Sequence, residues 1–236
     1  MFRALETARP AFRRLFKDRL AKSFLSPSLR TVAAFSIFPG IYNMFIGIID
    51  RRWPGARTSG IARTREIDDL TTEALSKGVK QVVLLGAGFD SRPYRLAGME
   101  KASIYEVDHP ATSARKQASI TNLLGRVPSN VRFVAMDFNK DDLDAQLSRA
   151  GFMPSLPTFI IWEGVSNYLS PDAVDRTLAW CGMAAISGEI VFTYIDKEVL
   201  ANPRAFHGTD RITNLLQGVG EKMDFWNESA RAWLLS

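Results

Sequence analysis

The chain has 236 residues, 46% of them apolar and 23% charged, which suits one globular domain with a small appendage and excludes a largely disordered or fibrous protein. Its single cysteine, Cys181, cannot form an internal disulfide, and with only two histidines a structural zinc site is not expected. The net charge of +5 equals the surplus of seven basic over two acidic side chains in residues 1–22. This distribution argues against a nucleic-acid-binding face spread over the protein and leaves a local basic arm open.

The amino-terminal residues have the spacing of an amphipathic helix. Leu5, Ala8, Phe12 and Leu20 recur, with Leu15 or Phe16 between them, at steps of three and four residues. We expect a helix packed on the domain, with contact to a membrane surface as the alternative. Because charges run through this stretch, it does not resemble a secretory signal, and a cytoplasmic location is expected.

Residues 31–49 are nearly free of charge, so a membrane span has to be considered. Pro39, Gly40 and Asn43 interrupt the stretch and favour two short helices that cover a pocket. A loop is predicted at 51–60, followed by a helix over 63–77.

After Gly78, apolar runs alternate with helical patterns. Strands are predicted at 82–85, 103–107, 131–136, 158–162 and 189–194, and helices at 111–124, 141–150 and 172–185. This order predicts an α/β fold, with a doubly wound parallel sheet and helices on both faces. Ligands of such sheets bind beyond the carboxyl ends of the strands, so the site is expected just after Leu85, Val107, Met136 and Trp162.

A glycine pair and a spaced acid suggest a nucleotide cofactor. Gly86 and Gly88 follow the first strand, where the chain must turn sharply and its backbone must approach a ligand closely. Asp108 ends the second strand, at the position from which a carboxylate binds the hydroxyls of an adenosine ribose. A purely structural turn is the alternative for the two glycines alone.

The residues after the glycines favour S-adenosylmethionine over a dinucleotide. Position 91, where a dinucleotide-binding loop has its third glycine, is Ser91, and Asp90 places negative charge where a diphosphate would lie. A cationic sulfonium without phosphate avoids this repulsion. An NAD-dependent oxidoreductase stays the competing interpretation.

Several segments resemble the leucine carboxyl methyltransferase family, in particular its bacterial branch. They are residues 82–96 (VVLLGAGFDSRPYRL), 105–110 (YEVDHP) with Lys116, 62–69 (ARTREIDD), 136–138 (MDF) and 162–169 (WEGVSNYL). The resemblance spans residues 5–235 in order. It implies a Rossmann-like class I methyltransferase that uses S-adenosyl-L-methionine, with O-methylation of a carboxylate or hydroxyl on a small molecule as the expected reaction.

The resemblance also implies roles for single residues. Arg63 would hold the cofactor's carboxylate, and Gly86 and Gly88 would pass beneath its methionine part. Asp108 would bind the ribose, Asp137 and Phe138 would meet the adenine, and Glu163 would lie near the sulfonium. No catalytic base is assigned.

Each role has a structural alternative. Arg63 is alternatively a surface charge at a helix start, Asp137 a loop cap, Phe138 a core aromatic and Glu163 the partner of an arginine. His109 is interpreted as a structural neighbour of the ribose loop, and Cys181 as a buried, inert thiol. Tyr168 and Tyr194 are interpreted either as substrate contacts or as packing residues.

The division of the chain follows from these patterns. Residues 1–60 are predicted to form a helical lid, and residues 61–236 the cofactor-binding domain. No strand pattern follows Tyr194, so the carboxyl-terminal strand pair usual in the family is expected to be missing. Residues 204–235 or a second copy of the chain would then cover the sheet edge. A relative that binds the cofactor without turnover is a further alternative.

Overall fold

A parallel sheet organises the fold. The computed structural model describes residues 1–184 and 188–205. In these residues five strands form one sheet in the order β3–β2–β1–β4–β5, and every neighbouring pair is parallel. The strands are β1 Gln81–Leu85, β2 Ser103–Asp108, β3 Val131–Ala135, β4 Thr158–Trp162 and β5 Glu189–Phe192. The doubly wound fold predicted from the sequence is confirmed.

The central strands are apolar because both faces of the sheet are covered. All five residues of β1 and all five of β4 are buried. Alternate residues of a strand point to opposite faces, so Val83 and Ile160 belong to one apolar cluster, whereas Val82 and Phe159 belong to the other. The two faces therefore carry separate halves of the core.

Helices connect and flank the strands. In the described part of the chain they are α1 Phe2–Ala8, α2 Pro27–Phe35, α3 Pro39–Arg52, α4 Ala56–Ser76, α5 Arg92–Arg95, α6 Pro110–Leu124, α7 Leu143–Arg149, α8 Pro171–Ala184 and α9 Lys197–Ala201. Leu143 and Leu147 of α7 pack with α8 on one face of the sheet, and Ile67 and Ala74 of α4 pack on the other. The helices predicted after the second, third and fourth strands are found, with small shifts of their described ends.

The predicted amphipathic helix over Leu5 to Leu20 is wrong beyond its first turns. Helix α1 ends at Ala8, and Arg9 adopts an extended conformation with φ −66° and ψ 152°. Pro10 explains the stop, because proline has no N–H to continue the helix and disfavours the helical conformation of the residue before it. Leu5 is fully buried, but Phe12, predicted to share its face, is 83% exposed.

Residues 31–49 form parts of two helices, as predicted. The break falls at Ser36–Phe38, and Pro39 starts α3 instead of interrupting it, because a proline in the first turn of a helix loses no hydrogen bond. The predicted loop at 51–60 shortens to 53–55. Among the described helices, none is long and apolar enough to cross a membrane.

The end of the sheet is only partly described. Strand β5 stops at Phe192, two residues before the predicted end. Residues 206–236 lie outside the described residues, and with them the predictions about a missing strand pair and a covered edge. Cys181 is fully buried in α8, and burial raises the pKa of its thiol to about 12, which agrees with the interpretation as an inert thiol.

Candidate functional site

A cleft of about 840 Å³ lies at the carboxyl ends of β1, β2 and β4. The loops that follow these strands, together with the loop after β3, form most of its wall. All seven residues singled out from the sequence line it: Arg63, Gly86, Gly88, Asp108, Asp137, Phe138 and Glu163. The fold thus brings together residues that are up to 100 positions apart.

The loop after β1 requires glycine at both predicted positions. Gly86 has φ +69° and Gly88 has φ +43°, in the left-handed region that side chains with a Cβ disfavour. A Cβ at Gly86 would also overlap the side chain of Val165. The amides of Gly86 and Ala87 donate to the Val107 carbonyl oxygen at 2.8 and 2.9 Å, which ties the loop to β2.

Asp108 joins the end of β2 to this loop. Its Oδ2 accepts a hydrogen bond from the Gly88 amide, and its Oδ1 accepts one from the His109 amide at 2.7 Å. The glycine loop and the spaced acid therefore face one cleft. His109 caps α6, because its Nδ1 accepts from the Ala111 amide at 3.4 Å, in keeping with the structural interpretation.

Glu163 bridges two arginines. Its Oε1 accepts from Arg63 Nε at 2.7 Å, and its Oε2 accepts from Arg92 Nη1 at 2.8 Å. The alternative of an arginine partner is therefore realised for Glu163, which also lines the cleft. The helix-start alternative for Arg63 is wrong, because α4 begins seven residues earlier at Ala56. The Arg63 side chain is 45% exposed, at the cleft wall.

Arg92 is a buried hub that sequence reasoning did not assign. Its guanidinium contacts Asp68 at 2.8 Å, Asp90 and Glu163, and its side chain is 3% exposed. Burial opposes ionisation of Asp90, but the charges of Arg92, Lys116 and Arg3, together with the hydrogen bond from the Arg92 amide, outweigh it and lower the pKa of Asp90 to about 2. The charge of Asp90 is thus compensated, which weakens the repulsion argument against a diphosphate. The Asp90-x-Arg92 spacing was the available signal.

The opposite wall is built from local contacts. Asp137 Oδ1 accepts from the Asn139 amide at 3.0 Å, and its Oδ2 pairs with Lys140 Nζ at 3.0 Å. The hydrogen bond from Lys140 lowers the pKa of Asp137. Phe138 is 8% exposed and belongs to the core. Asp137 therefore caps the loop and Phe138 packs in the core, as the structural alternatives predicted, and both residues also line the cleft.

The amino-terminal residues complete the cleft in a way that the sequence did not predict. Met1, Phe2 and Arg3 line it, whereas α2 and α3, predicted to cover a pocket, contribute no residue to it. Arg3 Nη2 donates to the Phe89 carbonyl oxygen at 2.7 Å, and Nη1 donates to Ser91 Oγ at 3.1 Å. Arg3 was one of seven basic residues near the amino terminus, and nothing in its spacing distinguished it.

The two tyrosines singled out from the sequence, Tyr168 and Tyr194, lie in different places. Tyr168 lines the cleft, and its side chain is partly exposed. Tyr194 lies away from the cleft lining and packs on Phe192, with ring centroids 6.0 Å apart. Only Tyr168 remains in a position to meet a ligand of this cleft.

Most of the chain matches the model of a known protein family. The model of the family described as leucine carboxyl methyltransferase matches residues 1–182, which hold all seven site residues.

Two curated relatives show the extent of the similarity. A candidate S-adenosyl-L-methionine-dependent methyltransferase of Mycolicibacterium gilvum (strain PYR-GCK) is 40% identical over 127 residues, 54% of this chain and 41% of that protein. A second such protein, from Streptomyces coelicolor, is 38% identical over 188 residues, which are 79% of this chain and 62% of that protein. The chain therefore spans less than two thirds of the length of either relative.

A solved structure shares the fold. The crystal structure of a candidate methyltransferase from Thermobifida fusca YX superimposes with a TM-score of 0.56 at 17% identity, covering 96% of this chain and 75% of that chain. The Rossmann-like sheet of class I methyltransferases is therefore the fold of this chain.

Proposed function

This chain belongs to the leucine carboxyl methyltransferase family, and from that premise we propose that it binds S-adenosyl-L-methionine in the cleft and transfers its methyl group. The expected acceptor is a carboxylate or hydroxyl oxygen of a small molecule. The observation that carries the proposal is the contact between Asp108 and the Gly88 amide, because it holds a strand-end carboxylate and a glycine loop against one cleft.

Three features of the cleft support this cofactor: an open loop backbone, an acid at a strand end and a cation beside a second acid. Without a side chain at Gly88, where an added Cβ would meet only the Gly86 carbonyl oxygen within 4 Å, the loop backbone is open to a ligand at the end of β1. Asp108 would accept from the ribose hydroxyls, each charge-assisted bond contributing about 1.5–3 kcal/mol. Arg63 offers a cation for the carboxylate of the amino acid part, and the Glu163 carboxylate lies beside it for the sulfonium.

The adenine is assigned to the wall after β3. Asp137 would accept from the adenine amino group, and Phe138 would pack against the ring. Residues 1–60 stay a proposed lid, with Met1–Arg3 and Gly60 as the parts that reach the cleft, and residues 61–236 a proposed cofactor-binding domain.

Catalysis would depend on alignment. When bound, S-adenosyl-L-methionine supplies an electrophilic methyl group on a positively charged sulfur. A carboxylate or phenolate acceptor is already nucleophilic, so the residues of this chain need only orient the reactants and exclude water. Holding two reactants at attack distance is worth up to about 7–11 kcal/mol. The amino-terminal segment and Tyr168 would close the acceptor side of the cleft.

Calorimetry with S-adenosylhomocysteine tests the cofactor assignment. We expect Asp108→Ala to weaken binding at least tenfold without unfolding the protein, because it removes both the ribose acceptor and the partner of the Gly88 amide. Asp108→Asn, which keeps one acceptor oxygen, should lose less. Asp175→Ala, at an exposed position of α8, is the control.

Three results would contradict or narrow the proposal. Unchanged affinity in Asp108→Ala would refute the ribose assignment. Binding of NAD without any response to S-adenosylhomocysteine would favour an oxidoreductase. Intact cofactor binding without methylation of any acid or phenol in a metabolite extract would indicate a relative without turnover. Mass spectrometry of extracts incubated with labelled cofactor identifies the acceptor.

A second copy of the chain is the proposed partner at the sheet edge. Within the described residues, β5 pairs only with β4. Sedimentation equilibrium tests this, and a monomer at high concentration would contradict it.

A further inference from the structure

A buried ion pair lies directly beneath the glycine loop. Glu106 on β2 and Lys116 on α6 are each 1% exposed, and Lys116 Nζ lies 2.9 Å from Glu106 Oε2. Lys116 Nζ also donates to the Ala87 carbonyl oxygen at 3.3 Å. Neither side chain lines the cleft, so neither would touch a ligand bound there.

The pair has a counterpart two residues further along β2. Glu106 and Asp108 lie on the same face of the strand, because side chains alternate. Asp108 holds the Gly88 amide directly, whereas Glu106 holds the Ala87 carbonyl through Lys116. One strand face thus fixes both a donor and an acceptor of the same loop.

Stability alone does not account for such a pair. Removing two charges from water costs several kcal/mol per ion, and apolar side chains of similar volume often stabilise a fold equally well. Breaking the pair, in contrast, leaves one buried charge without a partner. The contact with the Ala87 carbonyl gives the pair an effect that apolar side chains could not replace.

We propose that Lys116, held in place by Glu106, is a positioning residue that fixes the glycine loop in the conformation that receives the ligand. The identity of the ligand rests on the proposed function, but the effect on the loop does not. Within the described residues, two further titratable groups act on Glu106, the Tyr94 hydroxyl and the Asp90 carboxylate, and the Tyr94 ring lies 5.9 Å from Lys116 Nζ.

The proposal predicts that the stability of the fold and the affinity for the ligand change with pH in opposite directions. Burial raises the pKa of Glu106 from its ordinary 4.5 to about 7, although Lys116 opposes this. Between these two values the folded chain holds a proton that the unfolded chain lacks, so this group favours folding more as the pH falls. Protonated Glu106 cannot hold Lys116 as an ion pair, so ligand affinity should fall as the pH falls through about 7.

Three variants separate positioning from stability: Lys116→Met, Glu106→Gln and the double variant. Lys116→Met should weaken S-adenosylhomocysteine binding at least tenfold in calorimetry and lower stability in urea unfolding. The double variant leaves no buried charge without a partner, so we expect it to recover stability but not affinity. Recovery of affinity together with stability would overturn the proposal.

The pH profile adds an independent check. Wild-type affinity should fall several-fold between pH 8 and pH 6, and Glu106→Gln should remove most of this dependence. An identical profile in Glu106→Gln would contradict a role for the pair.

Hydrogen exchange of the ligand-free protein makes the test independent of the cofactor. In the double variant, amides of residues 86–90 should exchange faster than in the wild type, whereas those of β4 should not change. Unchanged exchange in the loop would overturn the proposal. Failure of the wild type to bind S-adenosylhomocysteine would instead refute the proposed function.

Discussion

The two walls of the cleft are both lined by charged residues, but they are stabilised differently. On the glycine-loop side, the Arg92 side chain is 3% exposed and binds carboxylates from three separate segments. On the adenine side, Lys140 is 79% exposed and pairs with Asp137 three residues away. Buried ion pairs are costly to break, and exposed ones contribute little. We therefore expect substitutions on the glycine-loop wall to lower the stability of the whole fold, and substitutions on the adenine wall to have only small, local effects.

The largest effect is expected for Arg92→Met. It leaves the buried carboxylate of Asp90 without its arginine and removes one of the two arginines that hold Asp68, the other being Arg95, so the free energy of unfolding should fall by about 3–5 kcal/mol. Ionised Asp90 stabilises the fold above its ordinary pKa of 3.8, and this contribution is lost only as the pH falls through about 2. Without Arg92, burial raises the pKa of Asp90, so the loss measured by urea unfolding should be at least as large at pH 8 as at pH 5.

Arg149→Met, at an exposed position of α7, is the control for this measurement. If Arg92→Met and Arg149→Met lose equal free energies of unfolding, buried Arg92 contributes no more than an exposed arginine. That result would contradict the distinction between the two walls.

An intermediate effect is expected for Gly86→Ala. The left-handed φ of +69° costs about 1–3 kcal/mol for a residue with a Cβ, and the overlap with Val165 adds to it. Gly164→Ala is a matched control, because Gly164 has the same φ of +69° but no atom within 4 Å of an added Cβ. Thermal unfolding of both variants should show a larger loss at position 86.

The double variant Gly86→Ala with Val165→Ala should recover only the part that comes from the overlap. If Gly164→Ala costs as much as Gly86→Ala, close packing against Val165 is not what requires the glycine.

The smallest effect is expected for Lys140→Ala. Without the hydrogen bond from Lys140, the pKa of Asp137 should rise toward its ordinary value, still far below neutral pH, so the carboxylate stays charged. Affinity for S-adenosylhomocysteine should change less than twofold, and the melting temperature should not shift. A tenfold loss would show that this wall depends on its exposed pair after all.

The sequence predicted the parts of the molecule that follow local patterns. Apolar strands alternating with helices specified the sheet, and the rule that ligands bind at strand ends located Asp108 and Glu163 in one cleft. Helix prediction failed after Ala8 because residue spacing alone overlooked Pro10. The contacts of Arg3, and those of Arg92 with Asp68 and Glu163, could not be predicted, because these partners are 24 to 88 positions away in the chain. Periodicity shows which face of an element is apolar, but not which distant charge it meets.

The burial of Cys181 has a practical consequence for spectroscopy. It is the sole thiol of the 236 residues, and with a pKa of about 12 almost none of it is thiolate at neutral pH. Alkylating reagents should therefore modify the native chain very slowly, and the rate would report transient opening of α8 from the sheet. A cysteine introduced at an exposed rim position could then be labelled selectively with a fluorophore or spin label, with the native thiol left in place.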